Sequence, residues 1–248
     1  MKKAGTRRGV RALVLLGIVG VVTLGLATQA MACICIQIPP AFEGANTKTQ
    51  GGNNTLTVTG LTIASNEAVV ATLVTGTFPG DPVCSDNTGP GGYTNVINQN
   101  IGTSGRMVVC VKPAGHAGVV TSVTATYTGF GGTSVMDVVS IPNVGLPIAH
   151  NQDFDSNPPV DSGSVINVPS GSLLFGVVFN TNISNFTPDP GWLPVGVAQS
   201  GGSGSLRRNI TPVYMFAIGP PADYAVTGTL TGSGFWQAAI LQFAQICI

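Results

Sequence analysis

The sequence predicts an all-β fold: a single antiparallel β-sandwich, jelly-roll-like, with an extended strand at its N-terminal end. Three observations lead there. Short runs rich in Val, Thr, Ile and Phe recur along the chain. The 34 Gly and 17 Pro residues break those runs too often for helices of ordinary length. After residue 32, no segment carries an apolar stripe at helical period.

In chain order, residues 1–32 read as a secretory signal. Lys2, Lys3, Arg7, Arg8 and Arg11 form a charged head, residues 12–27 an apolar run, and Ala30-Met31-Ala32 a small-residue cleavage site before Cys33. The apolar run is shorter than the ~20 residues that span a bilayer, so no membrane span is expected after cleavage. Export of the bacterial type follows, through the general route or, from Arg7-Arg8, the twin-arginine one. Acylation of Cys33 is the lipoprotein alternative.

Five of the ten Lys and Arg residues leave with the signal and none of the ten acidic residues does, so the mature chain carries net charge −5. Its basic residues are scattered, and only Arg207-Arg208 is a pair. Nucleic acid needs a clustered basic footprint and is excluded as a partner.

Residues 33–52 read as an N-terminal strand and linker. Ile34, Ile36 and Ile38 alternate with Cys33, Cys35 and Gln37, then Pro39-Pro40 and a polar stretch follow. A short apolar strand on a flexible leash is what strand donation between subunits requires; the alternative is an ordinary first strand of the same sandwich. Residues 53–248 are the sandwich domain, with strands expected at 55–63, 68–75, 106–112, 119–128, 134–141, 164–168, 172–180, 213–218, 224–231 and 235–246. The last is apolar on both sides, so it is central or something covers its outer face. Thr-x-Thr-Gly starts at Thr57, Thr126 and Thr229. These unequal intervals point to shared strand-end chemistry and not to a repeat.

From Thr55 onward the layout resembles a loose group of secreted bacterial β-sandwich proteins. The likeness rests on Ser85-Asp86-Asn87 before a glycine-rich turn and Tyr93, the runs 106–111 and 119–128, and the entry Ser170-Gly171-Ser172-Leu173-Leu174. It ends on the closing pair 224–230 and Gly234-Phe235-Trp236-Gln237-Ala238-Ala239-Ile240. The resemblance implies a jelly-roll-like sandwich without established enzyme activity at a surface or extracellular location. It carries over no functional residue, and residues 33–52 and Cys247 fall outside it.

Catalytic chemistry finds little material. His116 and His150 are the histidines, and no Gly-x-Ser-x-Gly elbow occurs. A triad would have to draw on His150, Asp153 and some serine. No catalytic residue is assigned and no enzyme is expected. Asp153, Asp155, Asn157 and Asp161 echo a calcium loop, although Pro158 stands where that loop needs glycine. The other reading is a polar loop whose Asp and Asn cap turns, so calcium is the one candidate cofactor. Trp192, in a Pro/Gly-rich loop, is the candidate ligand contact, for carbohydrate, against the plainer role of pinning its loop.

Cys33, Cys35, Cys84, Cys110 and Cys247 lack metal-site spacing, and an exported chain favours disulfides. We expect Cys84 to bond Cys110, and the N-terminal strand to lie beside the C-terminal one with Cys247 bonded to Cys33 or Cys35. The expected function is a non-enzymatic secreted structural protein, self-assembling by β-strand addition into a filament, sheath or surface layer, with copies of itself as partners. A monomeric carbohydrate- or ligand-binding surface module is the alternative.

Overall fold

The computed structural model describes residues 37–48, 55–76, 80–89, 91–100, 105–128, 133–181, 185–196, 198–199 and 207–244. Residues 1–32, Cys33, Ile34, Cys35, Ile36 and Cys247 lie outside them.

The all-β expectation holds, and every strand pairing among the described residues is antiparallel. Residues 41–142 supply eight strands: β1 (Ala41–Lys48), β2 (Thr55–Ile63), β3 (Glu67–Thr75), β4 (Val83–Asp86), β5 (Thr94–Asn100), β6 (Arg106–Lys112), β7 (Val120–Thr126) and β8 (Ser134–Pro142). They form one sheet in the order β1-β8-β3-β6-β5 and a second in the order β2-β7-β4. First pairs with last, second with seventh and third with sixth, as in a long hairpin rolled up on itself.

The rest of the chain repeats this arrangement. Its strands are β9 (Ala149–Asp155), β10 (Val160–Asp161), β11 (Val165–Val168), β12 (Leu173–Thr181), β13 (Phe186–Pro188), β14 (Leu193–Pro194), β15 (Ala198–Gln199), β16 (Arg208–Phe216), β17 (Ala222–Tyr224), β18 (Thr227–Leu230) and β19 (Trp236–Phe243). One sheet runs β14-β16-β12-β19-β9, with β15 also on β16; β10-β18-β13 and β11-β17 make the outer layer. Replacing β1, β3, β5, β6 and β8 by β9, β12, β14, β16 and β19 converts the strand order of the first central sheet into that of the second.

The repeat extends to single residues. Ala68, Val70 and Val74 of β3 correspond to Leu173, Phe175 and Phe179 of β12, and Met107 and Val111 to Ile210 and Tyr214. All of these line the same core cluster, in which the two central sheets pack face to face. The outer sheets close a second and a third cluster on the far sides. Two sandwiches therefore stand back to back in four layers where the sequence suggested one. The Thr-x-Thr-Gly of Thr126 and that of Thr229 are equivalent positions of the two halves, at the ends of β7 and β18.

Four layers explain the burial pattern. β3, β6, β8, β12 and β19 are apolar on both faces because both faces are covered. For β19 the covering comes from within the chain: Ala239, Leu241 and Phe243 face the central cluster, Trp236, Ala238 and Ile240 the outer one.

One expectation changes here. Residues 41–48 are the edge strand β1, paired with β8, and not a linker. The expected pairing of the N-terminal strand with residues 240–248, and the bond from Cys247 to Cys33 or Cys35, fall on residues outside the described ones; residues 236–242 have β12 on one side and β9 on the other. Ile38 is 43% exposed and belongs to no strand.

Candidate functional site

A connected group of buried polar side chains sits where the β4 turn crosses the end of β6. Strand alternation turns Cys110 and Lys112 toward the outer sheet, and Cys110 bonds Cys84 of β4, as expected from the sequence. A disulfide fits a chain that matures in an oxidising compartment.

Beside that bond, Lys112 Nζ donates to Asp86 Oδ2 at 2.7 Å and to Thr88 Oγ1 at 2.8 Å. Thr88 in turn donates its amide and its hydroxyl to Asp86 Oδ1, at 2.8 and 2.7 Å. The ammonium lies 5.6 Å from the centre of the Tyr93 ring, and the Lys112 and Asp86 side chains are nearly fully buried. Burial raises the Asp86 pKa, but Lys112 and Thr88 outweigh it and hold the carboxyl below its ordinary value. Burial first, and then the Asp86 charge, push the Tyr93 hydroxyl far above its ordinary value.

Gly92, Lys112, Pro113, Ala114, Gly115 and His116 line a shallow depression next to this group. His116 Nε2 donates to the Glu67 carbonyl at 2.9 Å. The chemistry available is that of a clamp. Aspartate is held as carboxylate and tyrosine as phenol, the protonation states least suited to moving protons. The network pins the β4–β5 turn onto sheet and disulfide.

The candidate calcium residues are spread out. Asp153 and Asp155 are alternate residues of β9, Asn157 lies in the following turn and Asp161 in β10. Among the described residues no three His, Cys, Asp or Glu side chains gather around a point that could hold a metal. Each carboxylate accepts a nearby main-chain amide instead: Asp153 that of Phe154, Asp155 those of Ser156 and Asn157, Asp161 that of Gly163. Asn151 does the same for Gln152. Asn151, Asp153 and Asp155 thereby cap successive alternate amides along β9 and just past its end, a strand that pairs on one side only among the described residues. His150 and Asp153 are three residues apart on that strand, so they point to opposite faces and do not meet in a triad.

Trp192 is 6% exposed. Its indole packs among Val213, Val226 and Phe186, and its Nε1 donates to the Ala225 carbonyl at 3.1 Å. Trp236 is buried in the same cluster and donates to the Asn157 carbonyl at 2.7 Å. Both rings serve the outer layer of the second half.

Sequence reasoning passed over Asp137, a fully buried carboxyl in β8. The signal was present: an acidic residue inside the run Ser-Val-Met-Asp-Val-Val-Ser-Ile, itself read as a strand. No helix among the described residues is long and apolar enough to cross a membrane. Compared with protein-family models, with curated proteins and with solved structures, the chain matches none.

Proposed function

We propose that the chain is a non-enzymatic, secreted structural protein that joins copies of itself by β-strand addition into an extracellular filament, sheath or surface layer. The observation behind this reading is that the strands described for both central sheets lie within residues 41–243, with residues 236–242 of β19 paired to β12 on one side and β9 on the other. Ile34, Ile36 and Ile38 alternate in a strand-like pattern, and Ile38, the described one of the three, is exposed and belongs to no strand. A short apolar strand-like segment is the donor that strand addition needs, with main-chain pairing supplying affinity. Among the described residues the central sheets end on β1 and β5 and on β9 and β14, and these edges are the places another copy's strand would meet.

Cys33 and Cys35, on the donor segment, would let a bond to another copy lock the polymer in an oxidising compartment. The binding-module reading loses its aromatic platform, since Trp192 is committed to the core.

The test is the size of the secreted protein. Negative-stain images should show extended assemblies, and a non-reducing gel a ladder that collapses to monomer on reduction. Deleting residues 33–38 should leave folded monomer. Monomer throughout, with that deletion changing nothing, would overturn the reading.

A further inference from the structure

The packing between the two halves contains a flaw at its centre. The sheets meet through aliphatic and aromatic side chains, yet Asp137 points into this layer, since it alternates with Val135, Val139 and Ile141, which all line the central cluster. Its exposure is 0%. Its cross-strand neighbours are Ala45 of β1 and Thr72 of β3. By strict geometry neither carboxylate oxygen completes a hydrogen bond, and the polar groups of Thr72 across the strand are near enough to stabilise it only in part.

The facing sheet offers no compensating charge. Thr181, Tyr214, Gln237, His150, Gln152 and Arg208 are its polar or titratable side chains on this layer, by alternation with core residues. His150 is exposed, and the Arg208 guanidinium lies over the Phe179 ring, 5.9 Å from its centre. From β5 and β9, Gln99 and Gln152 reach the layer and bond each other at 2.7 Å. From β6 the charged residues Arg106 and Lys112 point to the opposite layer. β1, β3 and β12 bring no ionisable group beside Asp137.

We propose that Asp137 is a proton-operated latch between the two halves: the packed state holds its carboxyl protonated, and ionisation loosens β8 against the facing sheet. A neutral carboxyl is tolerable in such a layer, whereas a bare carboxylate there is strongly disfavoured. Burial pushes this group up to about 7, with Thr72 pulling part of the way back.

The sign follows directly. The unfolded chain releases this proton near 3.8, the folded one near 7. Between those values the folded protein holds a proton that the unfolded chain has lost, so stability falls as pH rises and is level on either side. Inside the window each pH unit should raise the unfolding constant up to about tenfold, or about a thousandfold across it. Asp81 and Asp86, whose pKa values are lowered, act with the opposite sign and below this window.

Denaturant unfolding of the oxidised, full-length protein between pH 4 and 8.5 tests the latch. The wild type should weaken steadily through the window, and Asp137→Asn should be level there and the more stable of the two at neutral pH. A level wild-type profile, or an Asn variant that keeps the wild-type slope, overturns the proposal. Should Asp137→Asn fail to fold, hydrogen exchange of the wild type decides. Amides of β8 and β12 should lose protection from pH 5 to 8 relative to those of β2, and protection that stays in constant ratio overturns the latch.

Discussion

The two halves of this protein cover the same kind of central sheet in two different ways. In the first half the cover is a regular sheet: β2 and β7 run seven to nine residues, and Cys84–Cys110 bolts the short β4 to β6 beneath. In the second half no outer strand exceeds four residues. There two tryptophans do the holding, each filling the layer with its ring and fastening a loop by its N–H. A sheet face can thus be closed by many weak ladder bonds and one covalent staple, or by large side chains under irregular backbone. The second solution requires room. Gly176 of β12 occupies the place of Ala71 in β3, and a Cβ there would stand 2.4 Å from Val226 Cγ2 and 2.8 Å from Val213 Cγ2.

The sharpest way to break this comparison is to remove a ring. Trp192→Ala should cost about 3–5 kcal/mol, the range for emptying a buried aromatic site. The loss should appear first as faster hydrogen exchange in β13, β14 and β18, while β2 and β7 keep their protection. Equal loss in both outer layers would mean that the two covers are not separate devices.

Removing the staple is the counterpart. Cys84→Ser with Cys110→Ser should cost about 3 kcal/mol for a loop of this length. The melting temperature should drop, and exchange should rise in β4 and in the Asp86–Lys112 clamp. An unchanged melting temperature would show that the clamp alone holds the turn.

What was legible in the sequence follows burial. The strands read correctly are those with covered faces, where hydrophobic pattern dictates residue type. Those missed, β1, β4, β5, β9, β10, β13, β14 and β15, are edges or short outer strands. Thr94-Asn95-Val96-Ile97-Asn98-Gln99-Asn100 and Ala149-His150-Asn151-Gln152-Asp153-Phe154-Asp155 look like loops because an edge strand is half solvated and carries polar groups that protect it. The duplication left one trace, the Thr-x-Thr-Gly pair at Thr126 and Thr229. The third copy at Thr57 hid it, because threonine suits any exposed strand. The disulfide could be read from spacing and strand position. Asp137 could not be weighed, because nothing local says that a second sheet covers the face it occupies.

The edges carry the smallest effect and bear most directly on assembly. Asn46 of β1 and Asp153 of β9 are equivalent residues, each accepting the amide of the next residue at 2.8 Å. On β9 the device is repeated by Asn151 and Asp155. β9 needs it more, because its register with β19 is unbroken over seven residues, whereas β1 has a bulge between Phe42 and Gly44. A straight, uncapped edge is a template for any passing strand, and a bulged one is a poor template. Asp153→Ala should therefore cost less than about 1 kcal/mol, since the freed amide turns to water. In protein lacking residues 33–38 it should still raise light scattering on standing, and Asn46→Ala should do so less. Scattering unchanged by Asp153→Ala would mean that the β9 edge is kept closed by something other than its own side chains. If Asn46→Ala proved the more damaging, the bulge would not be the protection that β1 relies on.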